Sequence, residues 1–256
     1  LKQKNKNYMI DYNKKKKRLI VKKIINVTKN MIRVTFYHKD LASFPSDEIG
    51  GYVKFIFKKN NKDLVRPFTV RNFRKAKLEL DVDFAVHNEE EGLASNWVIN
   101  ATIGDTLQFT GPGPKKIINF NSNWFLLIGD MASLPAISVN LEQMPKNSRG
   151  YAIIEISNNN DKQKLLKPKN MQIFWILNSD RSHSIVLNKI QRLKWIDNQP
   201  SIWVATEFSL MKKIRAFLLK KNNTDKEKIY FSSYWKKGLD QEQHKLIKKE
   251  DARKWM

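Results

Sequence analysis

Residues 105–130, DTLQFTGPGPKKIINFNSNWFLLIGD, join two different rhythms. DTLQFT alternates polar and apolar side chains, the period of a strand with one covered face. WFLLIG, from Trp124 to Gly129, is apolar throughout, as in a strand covered on both faces by helices. Between them, Gly111 to Pro114 (GPGP) suits neither pattern and marks a break. The chain therefore changes architecture near Pro114 to Ser122.

Upstream of that break the alternating or β-branched stretches LIVKKIINV, MIRVTFY, GYVKFIFK, LVRPFTVR and KLELDVDFAVH precede DTLQFTG. Turn signals separate them, at Gly50 and Gly51, Asn60 to Lys62, and Gly104 with Asp105. Six short strands in succession predict an antiparallel barrel or sandwich. Downstream, YAIIEI, MQIFWIL, SIWVAT and KIYFSS repeat the apolar pattern of WFLLIG, with helical spacing between them. Phe208, Met211, Ile214 and Leu218, with Leu210 and Phe217 beside them, fall on one stripe that excludes Lys212, Lys213 and Arg215, so that stripe is core. This half predicts a parallel α/β sheet. With no long linker, the halves should share a tight interface, where ligands commonly sit.

A chain of 256 residues, 41% hydrophobic and 29% charged, has the size and composition of two folded domains. With no cysteine, a disulfide framework, a thiolate zinc site, an iron–sulfur cluster and a Cys nucleophile are excluded, so any redox chemistry must be borrowed. Forty-eight Lys plus Arg against 25 Asp plus Glu leave +23. Three readings compete for that surplus: a nucleic-acid partner, an anionic small substrate, or a Lys- and Asn-rich compositional background. The opening LKQKNKNYMI lacks the apolar segment of a secretory signal, and no apolar run reaches the ~20 residues that span a bilayer. The expectation is a cytoplasmic monomer without stable membrane insertion, with residues 1–18 as a basic arm, 19–119 as the barrel domain and 120–256 as the α/β domain.

The segment richest in chemistry is RPFTVR, Arg66 to Arg71. Proline cannot donate to a ladder, so this strand lies at an edge or rim. Alternation puts Arg66 and Phe68 on one face and Thr69 on the other unless the strand bends. A cation, an aromatic plate and a hydroxyl could meet a phosphate, a flat ring and a ring nitrogen; a plain edge strand with a surface arginine is the competing reading. In LELDVDFAVH, Leu78, Leu80, Val82, Phe84 and Val86 alternate with Asp81, Asp83, Ala85 and His87. The loop NEEEG then leads into the helix-like LASNWVINA, whose first amides near Leu93 to Ser95 suit a diphosphate. The acidic run Glu89 to Glu91 argues against a phosphate directly over it. His38, His87, His183 and His244 show no metal-ligand spacing, and no metal is expected.

GYVKFIF, RPFTVR, DVDFAVH, GLASNW, GDTLQFTGPGP, WFLLIGDMASLPAISVNLEQMP, IWVATEFSLMKKIRAFL and YFSSYWKKG occur in an order and spacing that resemble the siderophore-interacting proteins, FAD-dependent ferric-siderophore reductases of the ferredoxin-reductase-like superfamily. The resemblance implies a six-stranded antiparallel Greek-key barrel that binds FAD, followed by a parallel α/β sheet of NAD(P)-binding type. It implies that Arg66 holds the FAD diphosphate, that Phe68 stacks on the isoalloxazine where tyrosine is more usual, and that Thr69 approaches its reactive edge, with Val70 also among the cofactor-binding residues. Asp83, Phe84 and His87 match the block lining the flavin, and Gly92, Ala94 and Ser95 the turn at its diphosphate. For an anionic ferric siderophore, Lys54, Lys236, Lys237 and Tyr234 are the candidates, with Trp235 as a further aromatic wall. No side-chain acid, base or nucleophile is expected, since electron transfer needs none. Asp130, Met131 and Ala132 in GDMASLPAI depart from a dinucleotide-binding turn, which leaves NAD(P)H and reduced ferredoxin both open as donors. Two rival functions remain: a flavin oxidoreductase with another acceptor, and a basic nucleic-acid-binding protein.

Overall fold

Seven strands build the first sheet: β1 (Lys17–Thr28), β2 (Met31–Tyr37), β3 (Tyr52–Lys59), β4 (Lys62–Thr69), β5 (Asn72–Arg74), β6 (Glu79–Ala85) and β7 (Thr106–Gly113). All pair antiparallel, in the order β4-β3-β7-β1-β2-β6-β5. The computed structural model describes residues 16–86, 92–179, 182–197, 199–221 and 225–255, so His87 and the acidic run Glu89 to Glu91 lie outside the described residues, as does most of the basic arm.

The strand beyond the six expected is β5, and a bend creates it. β4 and β5 lie at opposite ends of the strand order, yet only Val70 and Arg71 separate them in the chain. The Val70 amide donates to the Gly51 carbonyl beside β3, and the Arg71 amide donates to the Asp81 carbonyl of β6, each at 2.9 Å. RPFTVR therefore passes from one edge of the sheet to the other and closes the barrel through the chain itself. Pro67 sits exposed on β4 at the end of the order, where its missing donor costs nothing.

The barrel core is aromatic, with Phe36, Phe55, Phe57, Phe84 and Phe109 buried beside Leu80 and Val82. Phe55 and Phe84 stack with centroids 5.9 Å apart. α1 (Leu93–Asn100) lays Trp97 on this cluster, 5.7 Å from Phe84. The polar side of β6 is buried too, because cations cover it. Glu79 takes Lys22 and Arg74, Asp81 takes Arg74 and Thr35, and Asp83 takes Arg33 through both oxygens at 2.6 and 2.8 Å. Lys22 and Arg74 hold the Glu79 carboxyl down at about 2. Burial alone would raise Asp81, but its hydrogen bonds to Arg74 and Thr35 outweigh that and lower it.

Five parallel strands form the second sheet: β8 (Phe125–Gly129), β9 (Arg149–Ile156), β10 (Asn170–Leu177), β11 (Ser201–Glu207) and β12 (Ile229–Trp235), in the order β10-β9-β8-β11-β12. These are the apolar runs of the sequence. α2 (Leu134–Gln143), α3 (His183–Gln191), α4 (Phe208–Lys221) and α5 (Gln241–Trp255) complete this half. On α4, Leu210, Met211, Ile214 and Leu218 are buried, as their spacing predicts. Two carboxylates join the halves. Asp161, fully buried, accepts from the Thr28 hydroxyl and from the backbone and side-chain amides of Asn30, while Arg71 forks onto both oxygens of Glu142.

Helix α5 lies against β12, the last strand of its sheet. The Lys248 ammonium donates to the Ser233 carbonyl and the Ser232 hydroxyl, each at 2.7 Å, and His244 Nε2 meets the Ser233 hydroxyl at 2.8 Å. The Phe208 ring packs edge-on to His244. Burial pushes His244 down to about 4, with Lys248 adding to the shift and Glu207 opposing it. The folded value lies below the unfolded value of ~6.5, so the unfolded chain binds the extra proton and stability falls as pH drops from about 6.5 to about 4. Thermal midpoints of the protein and of His244→Gln across that window check this. The variant's loss should be the smaller, and superimposable curves would remove His244 as the source.

Candidate functional site

The bend after β4 sets out the residues of RPFTVR. In the β3–β4 ladder Phe55 pairs with Arg66, Val53 with Phe68, Lys54 with Pro67 and Tyr52 with Thr69. Paired residues share a face, so Arg66 and Phe68 turn to the side of the buried Phe55 and Val53. Pro67 and Thr69 turn to the side of Lys54 and Tyr52. Phe68 is half-buried, its centroid 4.5 Å from Phe84 and 5.5 Å from Phe55.

Arg66 is the unusual member. Five described arginines are half-buried, and Arg33, Arg71, Arg74 and Arg215 each hold a carboxylate. Arg66 has no such partner among the described residues; one of its Nη atoms donates to the Val65 carbonyl at 3.1 Å. Burial lowers its pKa, and Asp240 and Glu242 only partly oppose that. A desolvated guanidinium without an anion is an incomplete site, which a diphosphate would complete. The residues present fit FAD on this observation.

The other predicted flavin residues divide. Gly92 is the N-cap of α1, Ala94 packs on the barrel core and Ser95 is buried with its hydroxyl 3.4 Å from the Ala85 carbonyl. Trp97 and Phe84 bring this helix start to the same aromatic cluster as Phe68. Val70, by contrast, is fully buried in the barrel core, with both backbone groups bonded to Gly50 and Gly51. Phe84 is likewise interior, at 1% exposure, and Asp83 is spent on Arg33 and Arg71. These three side chains are buried and support the barrel wall. His87 is outside the described residues.

The expected substrate residues do not all converge. Lys54 lies beside Pro67 on the outer face of the barrel, its ammonium 5.9 Å from the Tyr52 ring centroid. Tyr234 stands edge-on to Trp203, and burial pushes its phenol well up. Lys237 is exposed. Lys236 is directed elsewhere: its ammonium binds the Ser209 hydroxyl and lies 3.2 Å from a Glu207 oxygen, so its charge is already compensated. Tyr230, which the sequence reading did not single out, stacks on Trp203 at 5.6 Å, and its phenol is raised by burial, with Tyr52 adding to the effect.

The strand order reverses between β8 and β11, the crevice where open α/β sheets receive nucleotides. This chain's own carboxylates occupy both helix ends there. Asp130 accepts from the Ala132 and Ser133 amides at the start of α2 and from the Trp235 indole at 2.8 Å. Burial raises its pKa, and those hydrogen bonds oppose the rise. Glu207 accepts from the Ser209 and Leu210 amides at the start of α4. Gly129 lets α2 approach β8 this closely, since a Cβ there would stand 2.1 Å from the Ser133 hydroxyl.

Comparison with known proteins bears on the family and the fold. Residues 122–238 match the model of the siderophore-interacting protein family, and residues 20–65 and 58–116 match the siderophore-interacting FAD-binding domain. The ferric vibriobactin reductase ViuB of Vibrio cholerae is 30% identical over 238 residues, covering 84% of this chain and 88% of that protein. The crystal structure of the siderophore-interacting protein SipS from Aeromonas hydrophila superposes with a TM-score of 0.85 at 26% identity, over 94% of this chain and 99% of that one. Ferredoxin-NADP+ reductase from Plasmodium falciparum shares the fold, with a TM-score of 0.60 at 19% identity over 85% of this chain and 96% of that one. The chain thus belongs to the siderophore-interacting protein family, and the antiparallel barrel is its FAD-binding domain.

Proposed function

We propose that this protein is a ferric-siderophore reductase, taking the chelate after import into the cytoplasm and reducing its Fe(III) to Fe(II). The observation that carries this reading is the half-buried Arg66, without a carboxylate partner among the described residues and on the same strand face as Phe68. Bound FAD would supply the redox chemistry, accepting two electrons from a donor and passing them singly to iron. Arg66 and the Gly92 to Ser95 turn would hold its diphosphate, and Phe68 and Thr69 would flank its ring system. Lys54, on the outer face with Tyr52 and Thr69, would attract an anionic chelate toward the cleft. Hard oxygen ligands favour Fe(III), so reduction loosens the complex and frees the metal. The ferric vibriobactin reductase of Vibrio cholerae supports the same reaction class.

The purified protein should absorb near 450 nm, or regain that band when given FAD, and should then reduce ferric catecholate or hydroxamate chelates anaerobically. Lys54→Glu should raise the Michaelis constant for an anionic ferric chelate about fivefold or more at low salt, with flavin content unchanged. A colourless protein that cannot take up FAD would overturn the reading. An unaltered constant in Lys54→Glu would remove that lysine from the site.

A further inference from the structure

The bend after Thr69 decides where Phe68 and Thr69 stand. Val70 exchanges both backbone hydrogen bonds with the loop before β3, donating to the Gly51 carbonyl and accepting from the Gly50 amide at 2.9 Å each. Arg71 leaves on the other side, its amide on the Asp81 carbonyl of β6. A crossing of two residues has no ladder of its own, so its place is set by what the adjoining loop and the Arg71 side chain touch.

Both touch the other half of the molecule. Within the last turn of α2, the Asn140 side-chain oxygen accepts from the Ile118 amide at 2.7 Å, Glu142 takes the Arg71 fork on both oxygens, and the Gln143 side-chain amide donates to the Ile49 carbonyl at 3.3 Å. Val139 closes on the same loop. At Gly50, φ +88°, a Cβ would lie 2.9 Å from a Val139 methyl and 2.8 Å from one of Ile117, so only glycine allows the approach. α2 is buried from Leu134 to Leu141, in a core shared with β8 and β9, and so offers these contacts a fixed support.

Glu142 is the contact that its own helix does not explain. A carboxylate in the last turn stands at the negative end of the helix dipole, where it opposes the helix. Among the arginine ion pairs of the described residues, those of Arg33 and Arg74 lie within the barrel half and those of Arg149 and Arg215 within the α/β half. Only Arg71 with Glu142 crosses between them. Asp83 of the barrel lies 3.8 Å from Arg71 Nε, but it is committed to Arg33. The crossing pair is partly desolvated, with side chains 15% and 26% exposed, and its fork fixes geometry as a single surface contact does not.

We propose that Glu142 is a positioning residue for the flavin: through Arg71 it fixes the end of β4, so that Phe68 and Thr69 meet the ring system in one orientation. Cofactor retention in the barrel then depends on a helix of the α/β half. This rests on the flavin reductase reading above. Arg71 stands two residues from Thr69 and three from Phe68, so a shift of the fork moves both. Side chains that hold a ligand within about 0.5 Å of its productive place need such support behind them.

The test uses the FAD-loaded protein and its Glu142→Ala, Arg71→Ala and doubly substituted forms, each well below its thermal midpoint. Glu142→Ala should release FAD about tenfold more readily in equilibrium dialysis and alter the visible circular dichroism of the bound flavin, which reports the orientation of the ring in its site. Glu142→Asp keeps the charge on a shorter arm and should recover part of both. Glu142→Gln gives the same comparison if the alanine form does not fold. The double variant should lose no more FAD than Arg71→Ala, because the effect passes through that residue. A lowered midpoint in Glu142→Ala with FAD dissociation and flavin dichroism unchanged makes the pair a structural clamp only and overturns the proposal. Additive losses in the double variant overturn it too. Wild-type protein that takes up no FAD strikes the reductase reading and this one with it. Protein that holds FAD, loses it in Glu142→Ala and reduces no ferric chelate keeps the positioning role and strikes the reaction alone.

Discussion

Asp83→Ala should destabilise the barrel by about 3 kcal/mol, seen as a thermal midpoint lowered by about 6 to 12 °C. Asp83 is 5% exposed and takes Arg33 through two hydrogen bonds, with Arg71 3.8 Å away. Removing the carboxylate leaves the Arg33 guanidinium without its anion and beside a second cation, Arg71. Arg33 keeps 26% of its side chain in water, which holds the loss to the lower end of what a buried pair costs. Arg71 would still have Glu142. Asp83→Asn keeps the volume but not the charge and should recover only part of the loss. If Asp83→Ala retains its midpoint yet shifts the flavin reduction potential, Asp83 belongs to the cofactor after all and the structural assignment fails.

Arg66→Ala should show the opposite pattern, a large loss of cofactor with no loss of fold. Arg66 makes no ion pair among the described residues, and its burial is unfavourable without an anion, so removing it should change apoprotein stability by no more than about 0.5 kcal/mol. Hydrogen bonds from a guanidinium to phosphate contribute about 1.5 to 3 kcal/mol, so FAD should dissociate roughly 10 to 150 times more readily. Arg66→Lys keeps a point charge without the fork and should lie between the two. Equilibrium dialysis against FAD, beside a thermal melt of the apoprotein, separates cofactor loss from unfolding. Full flavin occupancy in Arg66→Ala would place the diphosphate elsewhere.

Both variants bear on what a linear reading resolves. Arg66 and Asp83 stand in neighbouring motifs and read alike as flavin residues. One is a cation awaiting an anion; the other is an anion already matched. The difference lies in Arg33, 50 residues from Asp83 in sequence, and in the absence of any comparable partner for Arg66 among the described residues. Lys236 reads as a free cation in YWKKG, and only folding brings Glu207 and Ser209 to it. Val70 continues RPFTVR on paper, but the bend that closes the barrel turns it into the core.

From its sequence alone, the chain specifies an antiparallel half followed by a parallel α/β half, the strands of both sheets except β5, the buried stripe of α4, and the motif order that places it in its family. Those features are local: strand and helix periods are carried by residues a few positions apart, and a motif by its own spacing. The tertiary structure decided which charges are compensated, where RPFTVR bends, that Tyr230 stacks on Trp203, and that Asp130 meets the Trp235 indole 105 residues away. Ion pairing and desolvation depend on distance in space, and residues far apart in the chain become neighbours only when the two sheets close on each other.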